Sequence, residues 1–239
     1  MLETMIGVDL AKSVFQVHGA SMTGVVKFRK RLTRSQFRRF LAAEPRAVFV
    51  MEACGSAHYW AREMVKIGHE VKLIAPQYVR PFVRRQKNDA ADAEAIVIAA
   101  QRPEMTFVGT KDEDQQASAV LFRSRERLIQ QRTVAVNALR SILYEFGHVV
   151  PPGIRNIRRI EEILAAENSD LPSLVRSECL DIIAQIREQT ARIEAKTKTA
   201  KELASKDDVA RRLQTIPGVG PLTALAVETF APEMSAFKG

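Results

Sequence analysis

The chain has 239 residues, of which 46% are hydrophobic and 27% charged, a composition typical of a packed globular protein and unlike that of a disordered one. No apolar run reaches the roughly 18–20 residues of a membrane span, and the N-terminus lacks the basic start and apolar core of a signal peptide. We therefore expect a cytoplasmic protein that does not bind membranes. Its two cysteines, Cys54 and Cys179, match neither a zinc-ligand spacing nor a disulfide framework, which predicts reduced thiols.

The net charge of +8 is concentrated in the first half of the chain. Residues 1–110 hold 17 Lys and Arg against 10 Asp and Glu, a net charge of +7. The densest stretch, Lys27–Arg39, has seven cations and no acid. Such a run either attracts a polyanion, of which nucleic acid is the commonest, or is an ordinary solvated surface.

The first half alternates short apolar runs with amphipathic segments, which predicts the order βββ–α–β–α–β–α. The first three strands should form an antiparallel meander within a mixed sheet flanked by helices. Thr33 and Ser56 stand where helix N-caps are expected. The predicted strands are Met5–Leu10, Ser13–Ala20, Gly24–Lys30, Arg46–Glu52 and His69–Ala75, and the predicted helices are Thr33–Ala43, Ala57–Ile67 and one from Asn88 or Asp89 to about Gln101.

Four carboxylates stand at the ends of these elements. Asp9 lies near the end of the first strand, on the face of Gly7, and Glu52 ends an apolar strand. Asp89 and Asp92, three residues apart, share a helix face. Carboxylate oxygens are the hard ligands that Mg²⁺ prefers, and two ions about 4 Å apart could hold the attacking and leaving oxygens of a phosphodiester. Taken singly, Glu52 could form a buried ion pair, Asp89 could cap the helix and Asp92 could favour its dipole.

Three segments resemble the blocks of a known family. "IGVDLAKSVFQVHG", "VFVMEACGSAHYW" and "KNDAADAEAIV" are similar to those of the DEDD transposases of bacterial insertion sequences, which include the pilin-gene invertases. The resemblance implies an α/β RNase H-like domain similar to the Holliday-junction resolvase RuvC. It also implies that Asp9, Glu52, Asp89 and Asp92 bind Mg²⁺ or Mn²⁺ as a catalytic tetrad.

Cations directly precede the last two acids of this tetrad. Arg84, Arg85 and Lys87 would meet the phosphates of a nucleic acid whose cleavage site lies at the metal. Family members act on DNA and are guided by a structured RNA, so the resemblance implies both partners. The sequence itself does not separate RNA from DNA.

The second half is expected to be helical. Two long amphipathic segments, Glu113–Gly147 and Leu174–Ser205, can pair within the chain or across a dimer, and the resemblance implies a coiled-coil-like assembly element in a homodimer or higher oligomer. We therefore expect a catalytic domain over residues 1–110, a linker over 111–208 and the start of a helix-hairpin-helix domain over 209–239. The apolar positions expected on the two long helices are Leu121, Leu128, Ala135, Leu139, Ile142 and Phe146, and Leu180, Ile183, Ile186, Ile193 and Leu203.

"LQTIPGVGPLTALAVE" predicts a helix-hairpin-helix element, although a plain turn between helices fits the same residues. The backbone of Gly218, Val219 and Gly220 could face a phosphate at the start of the following helix. Family members carry a nucleophilic serine in a Ser/Gly-rich segment beyond this hairpin. Ser235 lies in the block before that segment, so we do not assign it as the nucleophile. We expect a chain that is truncated or part of a longer protein, and inactive in strand exchange by itself.

The sequence thus predicts a metal-dependent transposase or site-specific DNA recombinase. One alternative is a catalytically incomplete nucleic-acid-binding remnant. A second is an actin-like sugar kinase, whose first strand also ends in a turn that resembles the pattern GxDxxxS, as Gly7, Asp9 and Ser13 do here. That fold needs further glycine-rich phosphate loops and a longer chain, and ATP binding would identify it.

Overall fold

The computed structural model describes residues 3–83, 89–166 and 170–232. The chain forms two compact units, the first running to Asp112 and the second spanning Glu113–Ala231. Within the described ranges, no helix is both long enough and apolar enough to cross a membrane.

The first unit contains a mixed sheet, as predicted, with strand order β3-β2-β1-β4-β5-β6 over the described residues. The first three strands form the expected antiparallel meander, β4 and β5 run parallel to β1, and β6 pairs antiparallel with β5. The sixth strand was not predicted because two residues carry no periodicity. The strands are β1 (Thr4–Leu10), β2 (Val14–Ser21), β3 (Val26–Thr33), β4 (Val48–Glu52), β5 (Glu70–Ile74) and β6 (Phe107–Val108).

The helices of this unit begin in different ways. Thr33 caps the first helix as predicted: its hydroxyl accepts from the Gln36 amide while the Gln36 side chain accepts from the Thr33 amide. The prediction that Ser56 caps the second helix is wrong. Ser56 stands at the N-cap position, but its backbone is left-handed (φ 70°) and its side chain makes no capping bond. The helices are α1 (Arg34–Ala43), α2 (Ala57–Ile67), α3 (Pro76–Val79) and α4 (Asp89–Ala100).

Both faces of the sheet are covered by apolar packing. As the alternation along β1 predicts, Ile6 and Val8 pack on one face with the aromatic residues of α1 and α2, including Phe37 and Trp60. Met5 packs on the opposite face with residues of α4. A carboxylate on β1 therefore lies beside a hydrophobic core, whichever face it occupies.

The second unit is helical, as expected. Its two long helices, α5 and α7, pack against each other within the chain, and Arg125 and Arg132 donate hydrogen bonds to Thr197 (2.8 Å) and Thr190 (3.2 Å). Leu139 lies in the core of the pair. The helices are α5 (Glu113–Glu145), α6 (Ile157–Ala165), α7 (Ser173–Lys206), α8 (Asp208–Leu213) and α9 (Pro221–Phe230).

Not every apolar residue of the long helices is in this core. Phe146, Leu180 and Leu203, expected on the apolar faces, are 37%, 51% and 38% exposed. Ile160 and Leu164 are buried instead, on the short helix α6, which the sequence reading missed. This core therefore contains residues of α6 as well as of α5 and α7. Some of the residues predicted to lie between the two long helices are exposed instead.

Candidate active site

Two of the predicted carboxylates end neighbouring parallel strands. In the ladder between β1 and β4, Val8 stands opposite Met51. The next residue on each strand is Asp9 on β1 and Glu52, the last residue of β4. Because side chains at equivalent positions of paired strands project from the same face, the sheet brings these two acids side by side.

A close helix contact brings the helix that carries the third carboxylate towards the same face of the sheet. Helix α4 passes directly over Gly7, where a methyl group would collide with the Ala93 carbonyl oxygen and lie 2.6 Å from Val97 Cγ2. Gly7 and Asp9 share a face of β1, and Asp92 precedes Ala93. The space over Gly7 is thus filled by the backbone of the helix that carries Asp92.

The electrostatics of Glu52 show that these acids interact. Burial raises the pKa of Glu52, the positive charge of Arg80 lowers it, and the negative charge of Asp92 raises it again. A half-buried carboxylate beside a second one is costly to ionise unless a cation compensates both. The site therefore favours a cation between the strand ends and the start of α4.

Cys54 also belongs to this cluster, although the sequence reading gave it no role there. Burial raises the pKa of its thiol most, and the charges of Glu52 and Asp9 raise it further. Its amide donates to the Glu52 carbonyl oxygen at 2.8 Å, which turns the chain sharply after β4. The thiol is thus held neutral beside the carboxylates.

The carboxylates fit a hard divalent cation by their chemistry, but the described residues do not complete a ligand set. Among side chains that the structure describes, no three His, Cys, Asp or Glu groups are gathered closely enough to hold a metal ion. Asp89 is the first residue of α4, and its side chain lies outside the described part. The tetrad of Asp9, Glu52, Asp89 and Asp92 stays a prediction.

A second polar group, not anticipated from the sequence, fixes α4 on the sheet. Arg29 of β3 donates to Glu94 of α4 at 3.2 Å and to His18 Nδ1 of β2 at 3.4 Å. Burial lowers the pKa of His18, Glu94 raises it and Arg29 lowers it, so the ring is neutral and accepts from Arg29. His18 is the cross-strand partner of Gly7, so this bridge lies next to the point where α4 crosses β1.

The structure describes only one of the two groups of residues predicted to contact phosphates. Arg84, Arg85 and Lys87 lie outside the described residues. In the second unit, Gly218 has φ +86°, Val219 donates its amide to the Ile216 carbonyl at 3.0 Å, and Gly220 precedes the first residue of α9. Because the Val219 amide is already bonded within the turn, a phosphate there would have to use its neighbours.

Comparison with known proteins identifies the family. A family model of IS110-type DEDD transposases, described as "Transposase", matches residues 6–147. The chain belongs to the DEDD transposase family. The matched range contains all four predicted carboxylates.

Several curated relatives align with nearly all of the chain. A putative transposase, y4pF/y4sB, of Sinorhizobium fredii is 42% identical over 98% of the chain and 60% of its own length. A probable family 20 transposase of Pseudomonas aeruginosa is 40% identical over 98% of the chain and 70% of its own length. The transposase of insertion sequence IS1328 from Yersinia enterocolitica is 42% identical over 95% of the chain and 67% of its own length. The chain thus spans about 60–70% of the length of these relatives.

A solved structure gives a weaker likeness. The match to RuvC of T. thermophilus, in complex with a Holliday junction substrate, covers 44% of this chain and 99% of the RuvC chain, with 11% identity and a TM-score of 0.34.

Proposed function

We propose that the chain is the divalent-metal-dependent part of an enzyme that cuts and transfers DNA strands during transposition. Asp9, Glu52, Asp89 and Asp92 would hold Mg²⁺ or Mn²⁺ in an RNase H-like first unit. The observation that carries the proposal is the meeting of three elements, since Asp9 and Glu52 lie at the same end of adjacent parallel strands and α4 crosses Gly7 in direct contact. Membership of a transposase family supports the reaction class.

The protein groups have separable tasks in this reaction. Asp9 and Glu52 stand on paired strands whose positions are fixed by the sheet, whereas Asp92 stands on a helix held by its contact at Gly7 and by the bridge from Arg29 to Glu94. Bound divalent ions would stabilise the charge on the attacking and leaving oxygens of a phosphodiester. The elevated pKa of Glu52 supports this use, because a carboxyl that is costly to ionise alone gains most from a nearby cation.

DNA is the proposed substrate, and the net charge of +7 on residues 1–110 supports a polyanionic partner. Arg84, Arg85 and Lys87 would contact it near the carboxylates, and in the second unit the backbone amides of Gly218 and Gly220, on either side of the already bonded Val219, would contact it. A structured guide RNA and a homodimer or higher oligomer remain parts of the proposal that the family resemblance implies. In the same way, we propose residues 1–110 as catalytic domain, 111–208 as linker and 209–239 as the start of a helix-hairpin-helix domain.

Titration of Mn²⁺ into the 239-residue chain tests the metal assignment. Asp9→Asn, Glu52→Gln and Asp92→Asn should each weaken binding by at least about tenfold, because even groups one layer further from a metal contribute 10–100-fold. Glu63→Gln is the matched control, since Glu63 pairs with Lys66 on α2 at 3.0 Å. Equal affinity in all four variants and the wild type would refute the site.

A DNA-cleavage assay separates an enzyme from a binding protein. The chain should be incubated with branched or element-end DNA, with and without Mg²⁺, and the products examined for nicks and for adducts that resist denaturant. Metal-dependent products that vanish in Asp9→Asn support catalysis. Metal and DNA binding without any product would instead identify a catalytically incomplete nucleic-acid-binding protein.

A further inference from the structure

A row of polar residues leads away from the carboxylates across the sheet. In the ladder between β1 and β2, Asp9 stands opposite Gln16, and in the ladder between β2 and β3, Gln16 stands opposite Arg31. Residues opposite each other in antiparallel strands project from the same face. Asp9, Gln16 and Arg31 therefore form one row on one face, with Glu52 as its continuation on β4.

This row lies on the face where α4 packs. Arg29, two residues before Arg31 on β3, reaches Glu94 of α4 from this face. Helix α4 lies over Gly7 at Ala93 and Val97 and ends near Ser21, whose carbonyl oxygen accepts from Gln101 at 3.2 Å. The helix thus leads away from the row. Gln16 is half-buried and Arg31 exposed.

The other cations of β3 are already in use. Lys27 donates to the Thr4 hydroxyl at 2.7 Å and to the Glu3 carbonyl at 3.2 Å. Arg29 forms the bridge to His18 and Glu94. Lys30 belongs to the opposite face, where its ammonium group lies 4.7 Å and 4.6 Å from the ring centroids of Phe28 and Phe40. Arg31 differs from them, because no hydrogen bond or ion pair joins it to any described residue.

We propose that Gln16 and Arg31 form a binding site for a backbone phosphate of the DNA strand that enters the carboxylate centre. The planar guanidinium group of arginine matches phosphate oxygens with two parallel donors, and the glutamine amide adds a third. The proposal rests on the proposed function, because it takes the strand being cut as the occupant. It gives that strand a path over β3 and β2 towards Asp9.

The spacing of the row fits such a path. Neighbouring strands lie about 4.8 Å apart, so the backbones of Arg31 and Asp9 are separated by about 10 Å. Successive phosphates of one B-form strand advance about 3.4 Å along the axis, so the bound phosphate lies within about three nucleotides of the reacting one. A cation here also offsets the repulsion between the carboxylates and an incoming polyanion.

Fluorescence anisotropy with labelled element-end DNA tests the site, using the full chain. Arg31→Gln should lower affinity about tenfold, the effect of removing one charge-assisted hydrogen bond, and reduce the slope of log affinity against log salt by about one. Lys30→Gln is the matched control, since it removes the same charge one residue away on the opposite face. Arg31→Lys should have the wild-type salt slope but only part of the wild-type affinity. Lysine keeps the positive charge but lacks the planar guanidinium group that binds a phosphate with two parallel donors.

A second measurement locates the phosphate. Single methylphosphonates, which are uncharged, are placed in turn along each strand near the cleavage position. In the wild type and in Lys30→Gln one position should weaken binding most, and in Arg31→Gln that penalty should disappear. Equal losses in Arg31→Gln and Lys30→Gln, or no phosphate whose penalty depends on Arg31, would overturn the subsite. The same dependence found with RNA but not DNA would overturn it in favour of a guide-RNA contact.

The two proposals fail separately. If Mn²⁺ binding proves independent of Asp9 while the Arg31-dependent phosphate is found, the catalytic assignment falls and the phosphate site stands. If Mn²⁺ binding follows the carboxylates but Arg31→Gln behaves like Lys30→Gln, the catalytic assignment stands and the phosphate site falls. A wild-type chain that binds neither DNA nor RNA overturns the phosphate site outright.

Discussion

At the scale of single residues, Glu52 makes the metal-free protein less stable than it would be with a neutral group. Burial raises its pKa in the folded state above the ordinary value of 4.5, and Asp92 adds to the rise. The folded protein therefore binds the proton more tightly than the unfolded chain does. The stabilisation that comes from protonated Glu52 is therefore fully present below pH 4.5, and it is lost as the pH rises through the folded-state pKa.

Glu52→Gln should remove this pH dependence. In EDTA at pH 7 the variant should have a higher Tm than the wild type, and the difference should shrink as the pH falls towards 4.5. Saturating Mn²⁺ should reverse the order, because only the wild type gains the full stabilisation from bound metal. Thermal melts at several pH values, with and without Mn²⁺, measure both effects. A variant less stable than the wild type at pH 7 in EDTA would show that Glu52 has a compensating partner without metal.

At the scale of secondary-structure elements, the position of α4 depends on the glycine beneath it. Gly7→Ala should destabilise the fold by about 1–3 kcal/mol, the usual cost of overpacking, because the new methyl group meets backbone that cannot rotate away. It should also weaken Mn²⁺ binding, since Asp92 moves with the helix. Urea denaturation and metal titration report the two effects.

Gly109→Ala is the control for that experiment, because a methyl group at Gly109 would meet no atom within 4 Å. It should leave both stability and metal affinity close to the wild-type values. If Gly7→Ala behaves in the same way, the helix is not seated as closely as the structure has it, and Asp92 loses its link to the strand ends.

Local patterns in the sequence predicted some elements and missed others for identifiable reasons. The Thr33 cap was predictable because a capping box needs only two residues that lie three apart in the sequence. The prediction that Ser56 caps a helix failed because the preference for serine at helix starts does not take account of a left-handed backbone. Asp9 and Glu52 were recognisable as acids that end apolar strands. The bridge from Arg29 to His18 was not, because it depends on the register of two strands and no local pattern fixes that register.

At the scale of the whole molecule, the uneven charge should govern binding to nucleic acid. Replacing Arg84, Arg85 and Lys87 with Gln should flatten the salt dependence of DNA affinity by up to about 0.9 in log–log slope for each phosphate that the variant no longer neutralises. Replacing Lys196, Lys198 and Lys201 of α7 removes the same charge from the second half, where cations and acids nearly balance. Filter binding between low and moderate salt compares the two.

The second triple variant should keep the wild-type slope if the excess charge of residues 1–110 carries the interaction. Slopes flattened equally in the two triple variants would instead mean that net charge alone, and not its position, attracts the polyanion. If both triple variants keep the wild-type salt slope, none of these six cations contributes to DNA binding, and the hypothesis that the excess positive charge attracts DNA is wrong.

The short turn between β1 and β2 has a genetic consequence. Three residues, Ala11, Lys12 and Ser13, separate Leu10 from Val14, and this spacing sets Asp9 against Gln16. Deleting or inserting one codon here would slip the register by one residue and turn every β2 side chain to the other face. Phe15 or Val17 would then stand opposite Asp9. The reading frame would survive such a change and every acidic residue would remain, yet the row from Asp9 to Gln16 and Arg31 would be broken, so the length of this turn is as much a part of the proposed site as the acids themselves.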